Sequence, residues 1–243
     1  MSNAASMASV AALVGDTARA RMLDALIDGR ALTAGELAFV AGITPPTASA
    51  HLAKLSDGGL VSVVKQGRHR YFRLTSPLVA RMLEGIMVVA SVDAPPRYRP
   101  RLPRDEALRL ARTCYDHFAG LLGVALADCM VERSLVVLGD DAGELTGAGA
   151  AFMQEFGAAI EPAGRRPVRA FCRPCLDWTE RRPHLAGAVG AALAQRSFAL
   201  GWVERVRDGR ALAISGKGRE GFGRVFGIDV AALRSIASAG ASR

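Results

Sequence analysis

No apolar run in this sequence approaches the ~18 residues that a membrane-spanning helix needs. The nearest candidate, residues 82–92, is short and interrupted by Glu84 and Gly85. The first nine residues are small and polar and lack the basic stretch of a secretory leader. Cysteine is scarce: the chain has four, irregularly spaced, all beyond residue 104. Neither a membrane protein nor a disulfide-stapled secreted scaffold is expected, and free thiols in a reducing cytoplasm fit the pattern better. Catalytic signatures are also missing. There is no Ser-His-Asp set, no HExxH and no phosphate loop, since the glycines at 139–149 come without the lysine and the strand–helix framing such a loop requires. The chain is therefore read as a non-enzyme, and no cofactor is assigned.

What is present is concentrated in residues 33–74. Thr33 followed by Glu36 forms a capping box that starts a helix, and Gly42 ends it. Thr44 and Pro45 then open a second helix over 44–55, the threonine as cap and the proline pre-shaped for the first helical position. Ala48, Leu52 and Leu55 form its buried stripe. Thr44, Pro46, Thr47, Ser49, Ala50, His51 and Lys54 lie away from that stripe, small or hydrogen-bonding groups that let a helix lie against base edges in a major groove. After Gly58-Gly59 the period changes to two, with strands at 60–64 and 71–74 around a hairpin that carries Lys65, Gly67, Arg68, His69 and Arg70. A cationic glycine hairpin suits phosphates. The charge supports this: residues 1–104 hold 13 Lys+Arg against 7 Asp+Glu, leaving 18 against 16 for the rest, so six of the eight excess positives lie in this region. His51 has two readings, direct contact with DNA or packing beneath the wing.

At Ser49, His51, Leu52, Leu55, Gly59, Leu60, Val61, Gly67 and Tyr71 the chain resembles the ArsR-type winged helix-turn-helix regulators, over about its first hundred residues. The resemblance implies a DNA-binding repressor acting on double-stranded operator DNA as a homodimer. In it, helices at 10–14 and 77–92 would pack across a twofold axis. The familiar metal sites of that family are absent: the helix at 34–41 has no cysteine pair, and 77–92 holds no histidine or aspartate. Any signal must then act through the appended domain. Two other readings stay open, a winged-helix architectural or protein-adaptor module without sequence preference, and a CxxC thiol-redox enzyme.

Residues 93–104, with four prolines and four arginines, read as a stiff basic linker. The expected fold is mainly α with small β wings (α+β): a winged-helix DNA-binding and dimerisation domain over 8–92, the linker, and a helical domain over 105–243. In that domain, residues 105–133 read as one long helix. Thr146 to Gly157, Gly201 to Gly209 and His184-Leu185-Ala186 echo the first domain and suggest a degenerate second winged helix.

Cys172 and Cys175 form a CxxC, but no second CxxC or HxxxH completes a zinc set along the sequence, so no metal is assigned. Cys114 and His117 fall at i and i+3 of the expected helix and would meet Cys175 or His184 if that loop folds back. Cys114, His117, Cys175 and Trp178 are taken as the candidate effector or thiol site, for a small anionic or aromatic molecule or an oxidant. The alternative is that these cysteines and aromatics are core residues.

Overall fold

The computed structural model describes residues 3–27, 29–66, 69–92, 103–158, 160, 171–206 and 209–239, and it divides into two compact units, Met1–Met87 and Val88–Arg243. The first unit runs α1 (Asn3–Val14), α2 (Thr17–Leu26), β1 (Leu32–Thr33), α3 (Ala34–Ala41), α4 (Pro45–Asp57), β2 (Val61–Gln66) and β3 (His69–Leu74), and α5 (Pro77–Val92) leads out of it. Local chemistry sets these boundaries. The Asp16 carboxylate caps α2 by accepting from the Arg19 amide at 2.9 Å. The capping box of α3 closes in both directions, Glu36 N–H donating to Thr33 Oγ1 at 3.3 Å and Thr33 N–H to Glu36 Oε2 at 2.7 Å. Gly42 stops α3 in the left-handed region at φ 70°, and Thr44 with Pro45 restarts the chain as α4. The buried stripe Ala48, Leu52 and Leu55 joins Met22, Leu23, Leu26 and Leu37 in a core shared by α2, α3 and α4. Each such leucine contributes roughly 1.5–3 kcal/mol by leaving water. The strands form an antiparallel sheet in the order β1-β3-β2, with Leu32 opposite Phe72 and Val61 opposite Leu74.

The second unit departs from the expected helix over 105–133. That stretch is α6 (Pro103–Leu110), a tight hairpin of β4 (Arg112–Cys114) and β5 (His117–Ala119), and α7 (Gly120–Glu132). Tyr115 turns the chain at φ 56°, and Gly120 starts α7 at φ 75°. Every residue of β4 and β5 is buried, so the pair lacks the polar–apolar alternation that marks a half-exposed strand. Its apolar spacing is then indistinguishable from a helix. Of the Pro/Arg stretch, residues 93–102 lie outside the described residues, while Pro103 and Arg104 belong to α6.

The hairpin–helix pattern continues with β6 (Val136–Leu138), β7 (Gly143–Leu145) and α8 (Gly147–Phe156). It then runs again as β8 (Arg173–Leu176), β9 (Pro183–Ala186), α9 (Gly187–Ala199), β10 (Val203–Arg205), β11 (Leu212–Ile214) and α10 (Gly216–Phe226), followed by α11 (Val230–Ala239). α8 does share the caps of α3, with Thr146 at its start and Gly157 at φ 72° after its end. The order of elements, however, relates the two halves of this unit to each other rather than to the first unit. Thr146 Oγ1 accepts from Gly149 N–H and Ser215 Oγ from Gly218 N–H, both at 3.0 Å. The halves also cross over reciprocally: Thr113 N–H in β4 donates to Arg210 O before β11, and Gly143 N–H in β7 donates to Cys172 O before β8. An aromatic core fills the unit, with Trp202 and Phe222 centroids 5.0 Å apart and Phe156 and Phe226 5.3 Å apart, edge to face. No helix among the described residues is long and apolar enough to cross a membrane.

Candidate functional site

α4 presents one continuous exposed face. Thr44, Pro46, Thr47, Ser49, Ala50 and Lys54 are all exposed, on the side opposite the buried stripe. The Thr44 and Thr47 hydroxyls are 2.8 Å apart, and Ser49 Oγ donates back to Pro45 O at 3.0 Å, so the N-terminal turn is ordered by its own side chains. His51 differs from its neighbours. It is half-buried, with Nδ1 3.2 Å from a guanidinium nitrogen of Arg19 and 3.9 Å from the Asp16 carboxylate. Arg19 also donates to the last carbonyls of α1, Nε to Leu13 O at 2.7 Å and Nη2 to Ala12 O at 2.9 Å. One guanidinium thus ties α1, α2 and α4 together, a role that no local sequence pattern marks. In the wing, β2 and β3 pair through Lys65 opposite Arg70 and Gln66 opposite His69. Arg70 is exposed and lies over the Phe72 ring at 5.7 Å. Gly67 and Arg68 lie outside the described residues, as does the side chain of His69.

In the second unit, Cys114, His117 and Cys175 come together, and the fourth member of the group is His184 instead of Trp178. Cys114 pairs with His117 across β4–β5, and Cys175 with His184 across β8–β9. Each half therefore supplies one thiol and one imidazole. The two sulfurs are 3.8 Å apart and the two rings 5.1 Å between centroids. Glycines permit the close approach. A Cβ on Gly123 would lie 2.5 Å from Phe118 O and 3.5 Å from the His184 Cβ; Gly190 stands in the same relation to Leu185 O and the His117 Cβ. The repeated His-Phe-Ala-Gly and His-Leu-Ala-Gly segments carry this equivalence, and they are the signal by which sequence reading would have promoted His184.

Trp178 belongs to the layer behind. Arg112, fully buried, lies 4.6 Å from its ring and donates to Asp177 Oδ1 at 2.8 Å, to Thr179 Oγ1 and to Leu108 O. Asp177 also accepts from Gly120 N–H at 2.6 Å and caps the turn at Thr179 and Glu180. Burial works against its charged form, but His184, Arg112 and Thr179 outweigh it and hold the Asp177 carboxyl well below the usual carboxylate range. The adjacent Cys114 thiol, then the nearby His117 and His184 imidazoles, hold the Cys175 thiol well below its usual value despite burial. Burial opposes charge on His184 too, yet Asp177 and Cys175 raise it to about 9. Cys172, by contrast, is sent to the apolar core, where burial pushes its thiol up to about 11. The two thiols of the CxxC therefore sit in two different environments, Cys172 in the apolar core and Cys175 in the Cys/His group. Cys129 is likewise a core residue. The cavity of ≈ 10 Å³ beside the cluster is lined by Phe118, Gly123, Leu126, Leu185, Gly190 and Leu193 and is the size of a water, too small for an aromatic ligand.

Residues 14–64 match a family model described as a helix-turn-helix domain. Over 224 residues, the chain is 39% identical to YdfF of Bacillus subtilis, an uncharacterized HTH-type transcriptional regulator, covering 92% of this chain and 98% of that protein. It is 36% identical over 85 residues to the HTH-type transcriptional regulator Rv0324 of Mycobacterium tuberculosis, covering 35% of this chain and 37% of that one. Among solved structures, a homodimeric winged helix-turn-helix DNA-binding domain, Mb0332 of Mycobacterium bovis, is 26% identical, covering 42% of this chain and 97% of its own, with a TM-score of 0.36.

Proposed function

The chain belongs to the HTH-type transcriptional regulators, DNA-binding proteins, and from that premise we propose that it is a dimeric, sequence-specific repressor of the ArsR type that reads operator DNA with α4. The observation that carries this reading is the α4 face itself. Six small or hydrogen-bonding side chains are exposed on one side of a helix whose other side is locked into the core. A major groove admits such a helix, and Thr47, Ser49 and Lys54 match the donor and acceptor patterns of base edges. His51 acts as a positioning residue: bonded to Arg19, it fixes the pitch of α4 from within the unit. Lys65, Arg68, His69 and Arg70 of the wing supply phosphate contacts, which position without specifying.

Dimerisation follows from exposed apolar groups on the two flanking helices. Met7 on α1 and Ile86 and Val89 on α5 are 71%, 44% and 72% exposed, and a twofold pairing of these helices would set two α4 helices in successive major grooves. The second unit carries no catalytic step in this reading. It takes the input that modulates DNA binding, in a reducing cytoplasm.

Binding of the full chain to the DNA upstream of its own gene, titrated against salt beside a random fragment, tests the proposal. A repressor keeps a specificity ratio of roughly 10³ or more, whereas an adaptor or architectural module shows none. The Thr47→Glu/Lys54→Glu double variant should lose operator binding while keeping its far-ultraviolet circular dichroism. Unchanged affinity would overturn the assignment of α4. Transcription from the same fragment in vitro should fall as the protein is added.

A further inference from the structure

We propose that Cys114, His117, Cys175 and His184 form a tetrahedral metal site of the zinc class that staples the two halves of the second unit. Sulfur and imidazole ligands in a two-plus-two set are the ones zinc prefers, and the two thiolates neutralise the charge of a divalent ion in a buried place. The dimensions fit. A tetrahedron with metal–sulfur bonds of about 2.3 Å has an edge of about 3.8 Å, and the sulfurs are 3.8 Å apart, with all four ligand atoms within 4.8 Å of one another.

The imidazoles carry the argument further. His117 and His184 are 3% and 1% exposed, and Nε2 of each is buried with no hydrogen-bond partner within the protein. Such orphaned nitrogens are costly unless something binds them. Each ring also faces a carboxylate on its other side: His117 Nδ1 is hydrogen-bonded to Asp116 Oδ1 at 3.2 Å, and His184 Nδ1 lies 3.4 Å from Asp177 Oδ2, a charge contact without hydrogen-bond geometry. A carboxylate behind Nδ1 is the usual way a metal-bound histidine is oriented and made a better donor through Nε2. Asp177 is itself fixed by Arg112 and Gly120. A disulfide between Cys114 and Cys175 is the competing use of the same sulfurs, but it requires about 2.05 Å between them and leaves both Nε2 atoms without a partner. With four protein ligands and no open position, the site is structural rather than catalytic. The ligands come in pairs from two hairpins with more than fifty residues between them in sequence, so the ion would close the interface between repeats.

The test is the metal content of the full-length protein purified without a metal-affinity step. About one equivalent of zinc per chain is expected, released on titration of the thiols with an organomercurial. After exchange, cobalt should give the visible bands of a tetrahedral site together with thiolate-to-metal charge transfer. His184→Ala should lower occupancy at least tenfold, whereas His184→Cys, which keeps a zinc ligand, should retain it, as should Cys129→Ser outside the cluster. If the His184→Ala protein does not fold, the wild-type zinc content and cobalt spectrum decide alone. Wild-type protein with well under a tenth of an equivalent of any metal and no tetrahedral cobalt spectrum overturns the site. A Cys114–Cys175 disulfide found by mass spectrometry in freshly purified protein overturns it as well.

Discussion

Arg112 is among the largest side chains wholly withdrawn from water in this protein, and its charge is tolerated because Asp177, equally buried, meets it at 2.8 Å. Such pairs contribute little net stability, but breaking one strands the other charge. Arg112→Met should therefore lower the unfolding free energy of the second unit by roughly 3–5 kcal/mol, read as a drop in the urea midpoint. A loss below about 1 kcal/mol would mean that Asp177 is satisfied by its backbone donors alone. On the first unit, Arg70 stands on a hairpin that offers no rigid frame for two-pronged base recognition. Neutralising it should weaken binding to every DNA sequence and flatten the slope of log affinity against log salt by about one unit. A change in sequence preference at constant slope would contradict the phosphate role.

At the level of elements, two contrasts test why the pieces start and pack where they do. The hydrogen bond from the Thr33 amide, joined by the Thr33 hydroxyl, lowers the Glu36 carboxyl below its ordinary value of 4.5. A carboxylate with a lowered folded value gives stability that is complete above that ordinary value and is lost as pH falls through the folded one. The stability gap between wild type and Glu36→Gln should thus be open at neutral pH and close in acid below about 4.5. A gap that persists unchanged at low pH would show that the cap does not depend on charge. The second contrast concerns glycine. Gly123 lets α7 rest on the carbonyl of Phe118, where a Cβ has no room, while Gly147 at the start of α8 has nothing within 4 Å. Gly123→Ala should cost roughly 1–3 kcal/mol through forced backbone movement, and Gly147→Ala should be neutral or stabilising by up to ~1 kcal/mol. Thermal unfolding of the two variants side by side measures the difference.

For the whole molecule, the dimer reading puts Met7 and Ile86 in an interface where charge has no partner. Met7→Glu/Ile86→Glu should convert the protein to a monomer in sedimentation experiments and lower operator affinity far more than affinity for a single half-site. A variant that stays dimeric would place the twofold contact elsewhere. The order of elements in the first unit is what permits such pairing, since α1 and α5 flank the reading helix in sequence and leave apolar side chains exposed.

The first unit was legible residue by residue because its signals are local. A capping box, a left-handed glycine, a threonine–proline start and a period-two strand each act within a few residues, and Thr33, Gly42, Thr44 and the β2–β3 pairing fall where their chemistry requires. The small, exposed face of α4 followed from the same periodicity. His51 was beyond that reach, since its choice between solvent and core is made by Arg19, thirty-two positions away. In the second unit the apolar spacing of residues 105–133 suited a helix, and only the pairing of two fully buried strands, with Asp177 holding the Gly120 amide, made it a hairpin. The cluster shows the same division. Its cysteines and histidines could be named from their chemistry, but the identity of the fourth partner depended on which strands lie side by side. That is a long-range matter: Cys114 and Cys175 are sixty-one residues apart and meet because two copies of one hairpin–helix unit, each with a glycine in place of a side chain, pack into each other.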